Sequence, residues 1–284
     1  TRTVIYLEDG DFARLTPESI AVFDPAGREV HRELSRVLWN TEAAEKGGYE
    51  HFMLKEIMEQ PRAVKATVEP RIRDGRIELE GFELSDAELE NIRHIVITAC
   101  GSAYHAGCVG RYVIEELCRI PVQTELASEL RYRNPIIDEH TLLIVISQSG
   151  ETADTIAALR ECKARGAKTL AIVNVVGSTI AKLADSVLYT WAGPEIAVAT
   201  TKGYTTQLAV LDLLAVYMAK RLGRIDDARC AQLVEDISAL PERCQRAIDL
   251  NSRIKCLADM YHTQSALFFI GRNLDYAASL EASL

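Results

Sequence analysis

Between residues 92 and 221, short apolar runs alternate with longer segments in which apolar residues recur at helical spacing. The runs are nearly continuous in Val, Ile and Leu, which is typical of strands buried on both faces of a sheet. Strands that alternate with helices predict βαβ units, and therefore an α/β three-layer sandwich with a parallel sheet between helical layers. The predicted strands are 92–99, 121–126, 141–146, 170–175 and 186–191, and the predicted helices are 104–119, one that ends near 165, and 204–221.

The N-terminal region is less regular. Strand-like stretches at 3–7 and 20–23 are separated by turn residues and are too few to form a core of their own. They are interpreted as a small β remnant of a larger unit. A helical pattern at 51–58 is expected to end at Pro61 and to serve as a linker or docking helix.

The C-terminal region predicts helices and then one strand. Residues 226–262 predict two helices, and the apolar residues 266–270 predict a strand that is followed by Gly271 and Arg272. This order resembles the opening of a second βα unit, which residues up to 284 do not complete.

Charge and composition exclude several classes of protein. The 284 residues contain 32 Lys and Arg against 41 Asp and Glu, a net charge of −9. This balance predicts no attraction to nucleic acid or to acidic membranes, so neither is an expected partner. Hydrophobic residues make up 48% of the chain, which excludes extensive disorder. No apolar stretch reaches the roughly 18 residues of a membrane span, and no signal peptide is expected.

Cysteine and histidine spacing favours neither disulfides nor a metal. The seven cysteines form no CxxC pair, which favours free thiols in a reducing compartment such as the cytoplasm. The six histidines show no HxxxH or HExxH spacing, so no metal site is expected. No GxGxxG or P-loop pattern is present either, and no cofactor is expected.

The strongest chemical signal is the hydroxyl-rich segment Ser147-Gln148-Ser149-Gly150-Glu151-Thr152, which we call the hydroxyl loop. It follows a predicted strand and precedes a predicted helix, the position at which open α/β sheets bind ligands. A helix start offers free N–H groups and a positive dipole end, and the hydroxyls add donors, so the loop predicts a site for the phosphate of a small molecule. The alternative is a simple helix cap, because Glu151 and the hydroxyls are also typical of a capping box.

Two further segments end neighbouring strands. Cys100-Gly101-Ser102-Ala103 either places Ser102 beside the hydroxyl loop or forms only a tight strand-to-helix turn. Cys100 has no basic neighbour that would activate it as a nucleophile. Residues 198–202 precede the long helix and could close over a polar ligand, with Lys202 interpreted as solvated rather than anion-binding. His105 is interpreted as a helix-surface residue.

Several of these segments carry a family resemblance. Ala-Cys-Gly-Ser-Ala-Tyr-His-Ala-Gly at 99–107, Ser-Gln-Ser-Gly-Glu-Thr-Ala-Asp-Thr at 147–155 and Val-Ala-Thr-Thr-Lys-Gly-Tyr-Thr-Thr-Gln-Leu at 198–208 resemble the first sugar isomerase (SIS) domain of glutamine–fructose-6-phosphate aminotransferases. The resemblance extends to both sides. Segments 7–11 and 22–24 are similar to the end of the family's glutaminase domain, 46–61 to its interdomain segment and 270–272 to the opening of its second SIS domain.

The resemblance implies a SIS-type fold and a domain order. Residues 1–38 would be the C-terminal remnant of the glutaminase domain, 39–85 the linker, 86–225 the first SIS domain and 226–284 connecting helices and the start of the second. It also implies a phosphosugar ligand, fructose 6-phosphate or glucosamine 6-phosphate. The implied substrate-binding residues are Ser102, Ser147, Gln148, Ser149, Thr152, Val198 and Thr200.

Two departures from the family pattern bear on that site. The family usually has Thr-Ser after Cys-Gly, where this chain has Ser102-Ala103, so one side-chain hydroxyl is missing. Thr200 replaces a usual Ser and keeps the hydroxyl.

The implied activity belongs to the full-length enzyme, an isomerising aminotransferase that is typically dimeric or larger. By the resemblance, its cysteine nucleophile lies upstream of this chain and its isomerisation residues lie downstream, so no catalytic residue is expected here and the chain alone is expected to be inactive. Two alternatives remain at this stage. One is a non-catalytic SIS module that senses a phosphosugar, although the acidic, strand-like residues 1–40 offer no DNA-binding helix-turn-helix. The other is a SIS-type deglycase or isomerase.

Overall fold

The computed structural model describes residues 3–36 and 45–284. The expected boundary between 38 and 39 lies outside the described residues. The chain divides into two compact units, Thr1–Glu45 and Lys46–Leu284.

The first unit contains short antiparallel strands, as expected for 3–7 and 20–23. One pair and one three-stranded sheet are formed, with Ala21 and Val22 buried in the latter. Asp24 closes the turn between the last two strands of this sheet, because its Oδ1 accepts the backbone N–H groups of Ala26 and Arg28. The strands are β1 (Thr3–Ile5) paired with β5 (Leu34–Arg36), and β2 (Phe12–Leu15), β3 (Ile20–Phe23) and β4 (Glu29–Val30).

The second unit is built on a five-stranded parallel sheet, which confirms the α/β prediction. Its strand order is β12-β11-β10-β8-β9, and every neighbouring pair is parallel. The strands are β8 (His94–Ala99), β9 (Val122–Leu126), β10 (Thr141–Ser147), β11 (Lys168–Val173) and β12 (Ser186–Tyr189). A separate hairpin of β6 (Ile72–Arg73) and β7 (Arg76–Ile77) precedes them.

Helices cover both faces of this sheet. Side chains of β8 alternate between them: Ile95 and Ile97 belong to one buried cluster and Val96 to the other. The first layer contains α1 (Phe52–Val68), α3 (Ser102–Cys118) and α7 (Lys202–Arg221). The second contains α4 (Ala127–Tyr132), α5 (Ala153–Ala164) and α6 (Thr179–Leu183). The remaining helices are α2 (Asp86–Glu90), α8 (Asp227–Ser238), α9 (Leu240–Ile248), α10 (Asn251–Tyr261) and α11 (Leu274–Ser283).

The strand order creates a topological switch point between β8 and β10. The chain leaves β8 through α3 on one face and enters β9, whereas it leaves β10 through α5 on the opposite face and enters β11. The two connections therefore diverge from adjacent strand ends. In open α/β sheets a ligand-binding crevice lies at this place, outside the carboxyl ends of the strands.

Helix α1 does not end at Pro61, as the sequence predicted, but continues to Val68 with Pro61 inside it. A proline has no N–H to donate to the carbonyl one turn earlier, here that of Ile57. The side chain of Gln60 replaces that donor, because its Nε2 donates to Ile57 O at 3.1 Å. Burial of the helix against α7 supplies the remaining stabilisation, and Val64 and Val68 are each 1% exposed.

We expect Pro61→Ala to raise the free energy of unfolding by about 1–2 kcal/mol, because alanine restores the helical N–H and removes the ring's steric conflict. Urea unfolding followed by circular dichroism measures this change. Pro70→Ala is the matched control, since Pro70 lies at the start of the short 3-10 helix Glu69–Arg71, where proline is tolerated. An unchanged or lower free energy of unfolding of Pro61→Ala would show that this proline does not destabilise α1.

The C-terminal predictions need two corrections. Residues 226–262 form three helices, α8 to α10, instead of two. Residues 266–270 form no strand, and Phe268 and Ile270 are 88% and 89% exposed. A strand requires a hydrogen-bonded neighbour, and within residues 3–36 and 45–284 none pairs with this segment.

Candidate functional site

The hydroxyl loop is a tight turn at the end of β10. Ser147 is the last residue of the strand and is 3% exposed. Its Oγ accepts the N–H of Gly150 at 3.0 Å and shares a hydrogen bond with Thr152 Oγ1 at 3.1 Å. Ser149 Oγ accepts the N–H of Glu151 at 3.2 Å. Ser147 therefore organises the loop from the inside, and Ser149 and Thr152 lie at its half-buried surface.

Gly150 is required by the shape of this loop. Its φ is +68°, a left-handed conformation that disfavours side chains. A Cβ at this position would lie 2.0 Å from Ser178 Oγ. The Gly150 carbonyl also accepts the N–H of Ile180 at 3.0 Å. The hydroxyl loop is thereby fixed against the start of α6.

The start of α5 is open, which decides against the capping alternative. Thr152 is the N-cap residue, but in the described structure its side chain makes no capping hydrogen bond to α5. The first helical bond is donated by Ile156 to Thr152 O, so the N–H groups of residues 153–155 precede it. Glu151 does not support its own helix either, because its Oε1 accepts the N–H of Thr179 in α6 at 2.7 Å. The N-terminus of α5 is available to an anion.

A second helix start lies beside the first. Helix α3 begins at Ser102, two residues earlier than predicted, and its N-cap Gly101 has φ +58°. In the described residues no side chain caps α3. Strands β8 and β10 are neighbours, and Cys100 Sγ lies 4.0 Å from Thr155 Oγ1 across the gap between them. The structure therefore brings Ser102 to the same strand edge as the hydroxyl loop.

Asn174 connects the hydroxyl loop to the segment that follows β12, a role the sequence analysis missed. Its backbone N–H donates to Gln148 O at 3.1 Å. Its Oδ1 accepts Thr190 Oγ1 at 3.0 Å and the N–H of Ala192 at 2.9 Å, and its Nδ2 donates to Gly193 O at 2.8 Å. The available signal was a lone amide directly after an apolar strand, at the same edge as the other polar residues.

The segment of residues 195–201 is organised by Glu195. The Oε1 of Glu195 accepts the N–H groups of Thr201 and Gly203, each at 3.0 Å, and its Oε2 accepts the Thr200 hydroxyl at 2.7 Å. The carboxylate thus occupies the N-terminus of α7. The hydroxyl of Thr200 faces Glu195 in this state, and Val198 is fully exposed.

The interpretation of Lys202 as solvated was wrong. Lys202 is 2% exposed and its Nζ lies 2.7 Å from Glu59 Oε2 in α1. His105 lies on the side of α3 that packs against α11, where its Nδ1 is 2.8 Å from Glu281 Oε2. Both partners come from helices distant in sequence, and sequence spacing does not show which helices pack together.

The site is therefore suited to binding an anion through neutral donors. Backbone N–H groups and hydroxyls converge at two helix starts, with both helix dipoles directed at the same strand edge. Two carboxylates of the loops around the site, those of Glu151 and Glu195, already accept backbone N–H groups. Both carboxylates thereby stabilise loops at the edge of the site.

Comparison with known proteins agrees with this geometry. Residues 88–217 match the SIS domain family. The C-terminal domain of glucosamine-fructose-6-phosphate aminotransferase from Francisella tularensis superposes with a TM-score of 0.79 at 36% identity, covering 84% of this chain and 66% of that domain. The parallel sheet, the switch point and the family match define the class: residues 88–217 of this chain form a SIS domain.

Over its whole length the chain is similar to glutamine–fructose-6-phosphate aminotransferases (isomerizing). It is 51% identical to the enzyme of Clostridium tetani over 285 residues, and 52% identical to that of Symbiobacterium thermophilum over 286 residues. These matches cover 100% of this chain and 47% of each relative, so the chain spans about half of their length. The resemblance stated from the sequence motifs is confirmed.

The cysteines and helices bear on two of the earlier expectations. All seven cysteines are free thiols. Burial raises the pKa of Cys118 to about 12 and that of Cys162 to about 11, which keeps both thiols protonated at neutral pH. Among the described helices, none combines the length and apolarity that crossing a bilayer requires.

Proposed function

We propose that this chain is the sugar-phosphate-binding part of an isomerising glutamine–fructose-6-phosphate aminotransferase. The whole enzyme would convert fructose 6-phosphate and glutamine to glucosamine 6-phosphate and glutamate. The observation that carries the proposal is the pair of uncapped helix starts, α3 and α5, at the switch point of the sheet. Such a pair suits a dianionic phosphate ester, and the similarity over the full chain to enzymes of that name supports the sugar.

Each proposed ligand-binding residue has a role in this arrangement. Ser149, Thr152 and Ser102 would donate hydroxyls to the phosphate, Ser147 would hold the loop in shape, and Gln148 would contribute from the half-buried loop surface. With alanine at 103, the contribution of that position is limited to its backbone N–H. Val198 and Thr200 would contact the sugar from the segment after β12, which requires Thr200 to exchange its bond to Glu195 for one to the ligand.

The chain would bind substrate without converting it. The isomerisation requires a carboxylate or other base placed at the sugar carbon, and two carboxylates of the loops around the site, those of Glu151 and Glu195, are engaged with backbone N–H groups. We propose that glutamine hydrolysis and isomerisation belong to parts of the enzyme outside this chain. The proposed domain order is the one stated from the resemblance, with residues 86–225 as the first SIS domain. A cytoplasmic, dimeric or larger enzyme completes the proposal.

We expect fructose 6-phosphate to bind the wild-type chain, and Thr152→Val to weaken binding about tenfold or more, because a hydroxyl donor to a charged oxygen is lost while shape is kept. Ser149→Ala is expected to act in the same direction. Isothermal titration calorimetry measures both. Ser252→Ala, on the exposed surface of α10, is the control and should bind like the wild type. Equal affinities of all four proteins, or no binding at all, would refute the proposed site.

A further inference from the structure

Helix α1 contacts the segment 195–205 through polar side chains on two successive turns. Glu56 is 2% exposed, and its Oε1 accepts the N–H of Ile196 at 2.6 Å and that of Ala197 at 3.2 Å. In the sequence, the partners of these two bonds are separated by 140 and 141 positions. A buried carboxylate thus holds the backbone at the beginning of the segment whose Val198 and Thr200 are proposed to contact the sugar.

The same helix holds the end of that segment. Glu59 Oε2 lies 2.7 Å from Lys202 Nζ, and Gln60 Oε1 accepts the Thr205 hydroxyl at 2.5 Å. Both partners are on the first turn of α7. Residues 198–200 are therefore a short bridge between two points that α1 fixes.

The contact of Glu56 selects one backbone conformation of residues 196–197, which lead into this bridge. A buried carboxylate carries a large desolvation cost, which here is offset by two backbone donors. Among the described residues, the other carboxylate oxygen, Oε2, has no hydrogen-bond partner. If Ile196 and Ala197 moved away, the carboxylate would lose all of its partners in the structure, so departure from this conformation is costly.

Stability alone explains this arrangement poorly. A half-satisfied buried charge is a weak source of folding stability, and an apolar side chain of similar volume often serves as well or better. What the carboxylate adds is specificity for one backbone conformation of residues 196–197.

We propose that Glu56 is a positioning residue for sugar recognition: it holds residues 195–201 in the conformation from which Val198 and Thr200 meet the hexose, without touching the ligand. The inference rests on the proposed function and extends it to a helix remote from the phosphate. It separates two parts of the site. The hydroxyl loop would bind the phosphate group independently of Glu56, whereas affinity for the sugar part would depend on it.

Inorganic phosphate and fructose 6-phosphate distinguish these two parts. Glu56→Leu keeps the side-chain volume and removes the acceptor, and an apolar replacement at a buried charge is compatible with folding. We expect it to weaken fructose 6-phosphate binding about tenfold or more while phosphate affinity changes less than about twofold. Glu56→Gln keeps an acceptor oxygen for the same N–H groups and should recover most of the fructose 6-phosphate affinity. Glu69→Ala, an exposed carboxylate just beyond α1, is the matched control and should bind both ligands like the wild type.

The outcomes are separable by NMR or calorimetric titration of all four proteins with both ligands. Selective loss in Glu56→Leu with recovery in Glu56→Gln supports the inference. Unchanged fructose 6-phosphate affinity in Glu56→Leu overturns it, as does a parallel loss of both ligands or a failure of glutamine to restore binding. A wild-type chain that binds fructose 6-phosphate no better than phosphate instead refutes the proposed function, independently of any variant.

Discussion

Gly150→Ala is expected to lower fructose 6-phosphate affinity by about a hundredfold or more and to destabilise the fold by about 2 kcal/mol or more. Two costs combine at this residue. Its φ of +68° strains any side chain, and the new Cβ would lie 2.0 Å from Ser178 Oγ. The loop must therefore move, and with it the Gly150 N–H that Ser147 holds and the start of α5. Calorimetric titration and urea unfolding measure the two effects.

Gly177→Ala is the matched control for this prediction. Gly177 lies in the neighbouring loop with a similar φ of +74°, but apart from Gly177 and its two chain neighbours, no described residue has an atom within 4 Å of the position that a Cβ would take there. It therefore carries the backbone strain without the collision. We expect a loss of stability of about 1 kcal/mol and nearly unchanged affinity. If both variants bind alike, the close approach of the hydroxyl loop to Ser178 has no role in the site.

The second large effect concerns Asp212, which lies on α7 far along the helix from the proposed site. Its carboxyl lines a cavity of about 200 Å³ between α3, α7, α8 and α9. Burial raises the pKa of Asp212 from 3.8 to about 6. The other lining residues are Val113, Leu117, Val216, Leu233, Asp236, Ile237, Leu240 and Arg243.

The raised pKa makes stability fall as pH rises. Between pH 3.8 and about 6 the folded chain keeps a proton on Asp212 that the unfolded chain releases. The stabilisation from this group is complete below pH 3.8 and is lost as pH passes through 6, a decrease of about 3 kcal/mol at 1.36 kcal/mol per pKa unit. We therefore expect Asp212→Asn to be more stable than the wild type by about 2–3 kcal/mol at pH 7.5 and nearly equal to it at pH 4.

Urea unfolding of both proteins at these two pH values measures the difference, and other titrating groups cancel in the comparison. Asp259→Asn, at an exposed position of α10, should stay within about 0.5 kcal/mol of the wild type at pH 7.5. A stability difference between Asp212→Asn and the wild type that does not depend on pH would show that the Asp212 carboxyl has the same pKa in the folded and the unfolded chain.

Much of the candidate site could be predicted from local sequence. The hydroxyl loop combines an apolar strand, a glycine and hydroxyl residues within six positions, and parallel strands bring their carboxyl ends to one edge. Ser102 and the hydroxyl loop could therefore be placed together from the sequence alone. The hydrogen-bonding role of each side chain in the loop could not be predicted in the same way. Ser147 is buried and holds Gly150, and Glu151 serves α6 instead of α5.

The predictions that failed depended on partners distant in the chain. Pro61 ends an isolated helix, but in α1 the amide of Gln60 and the packing against α7 compensate for its missing N–H. The apolar residues 266–270 have strand composition, but composition supplies no neighbouring strand. Lys202 looks like a solvated lysine until α1 places Glu59 beside it.

The sequence by itself determined the five strands of the parallel sheet, the helices α3, α5 and α7 between and after them, and the hydroxyl-rich turn, because these depend on the periodicity of apolar residues and on the chemistry of adjacent positions. Only the tertiary structure decided that α3 and α5 start uncapped, that Asn174 joins two loops and that Glu56 and Glu195 hold the segment near Thr200. The bonds of Asn174 and of Glu56 join residues that become neighbours only when loops and helices pack on the sheet. Buried polar groups must find such partners, and local sequence does not specify which ones they find.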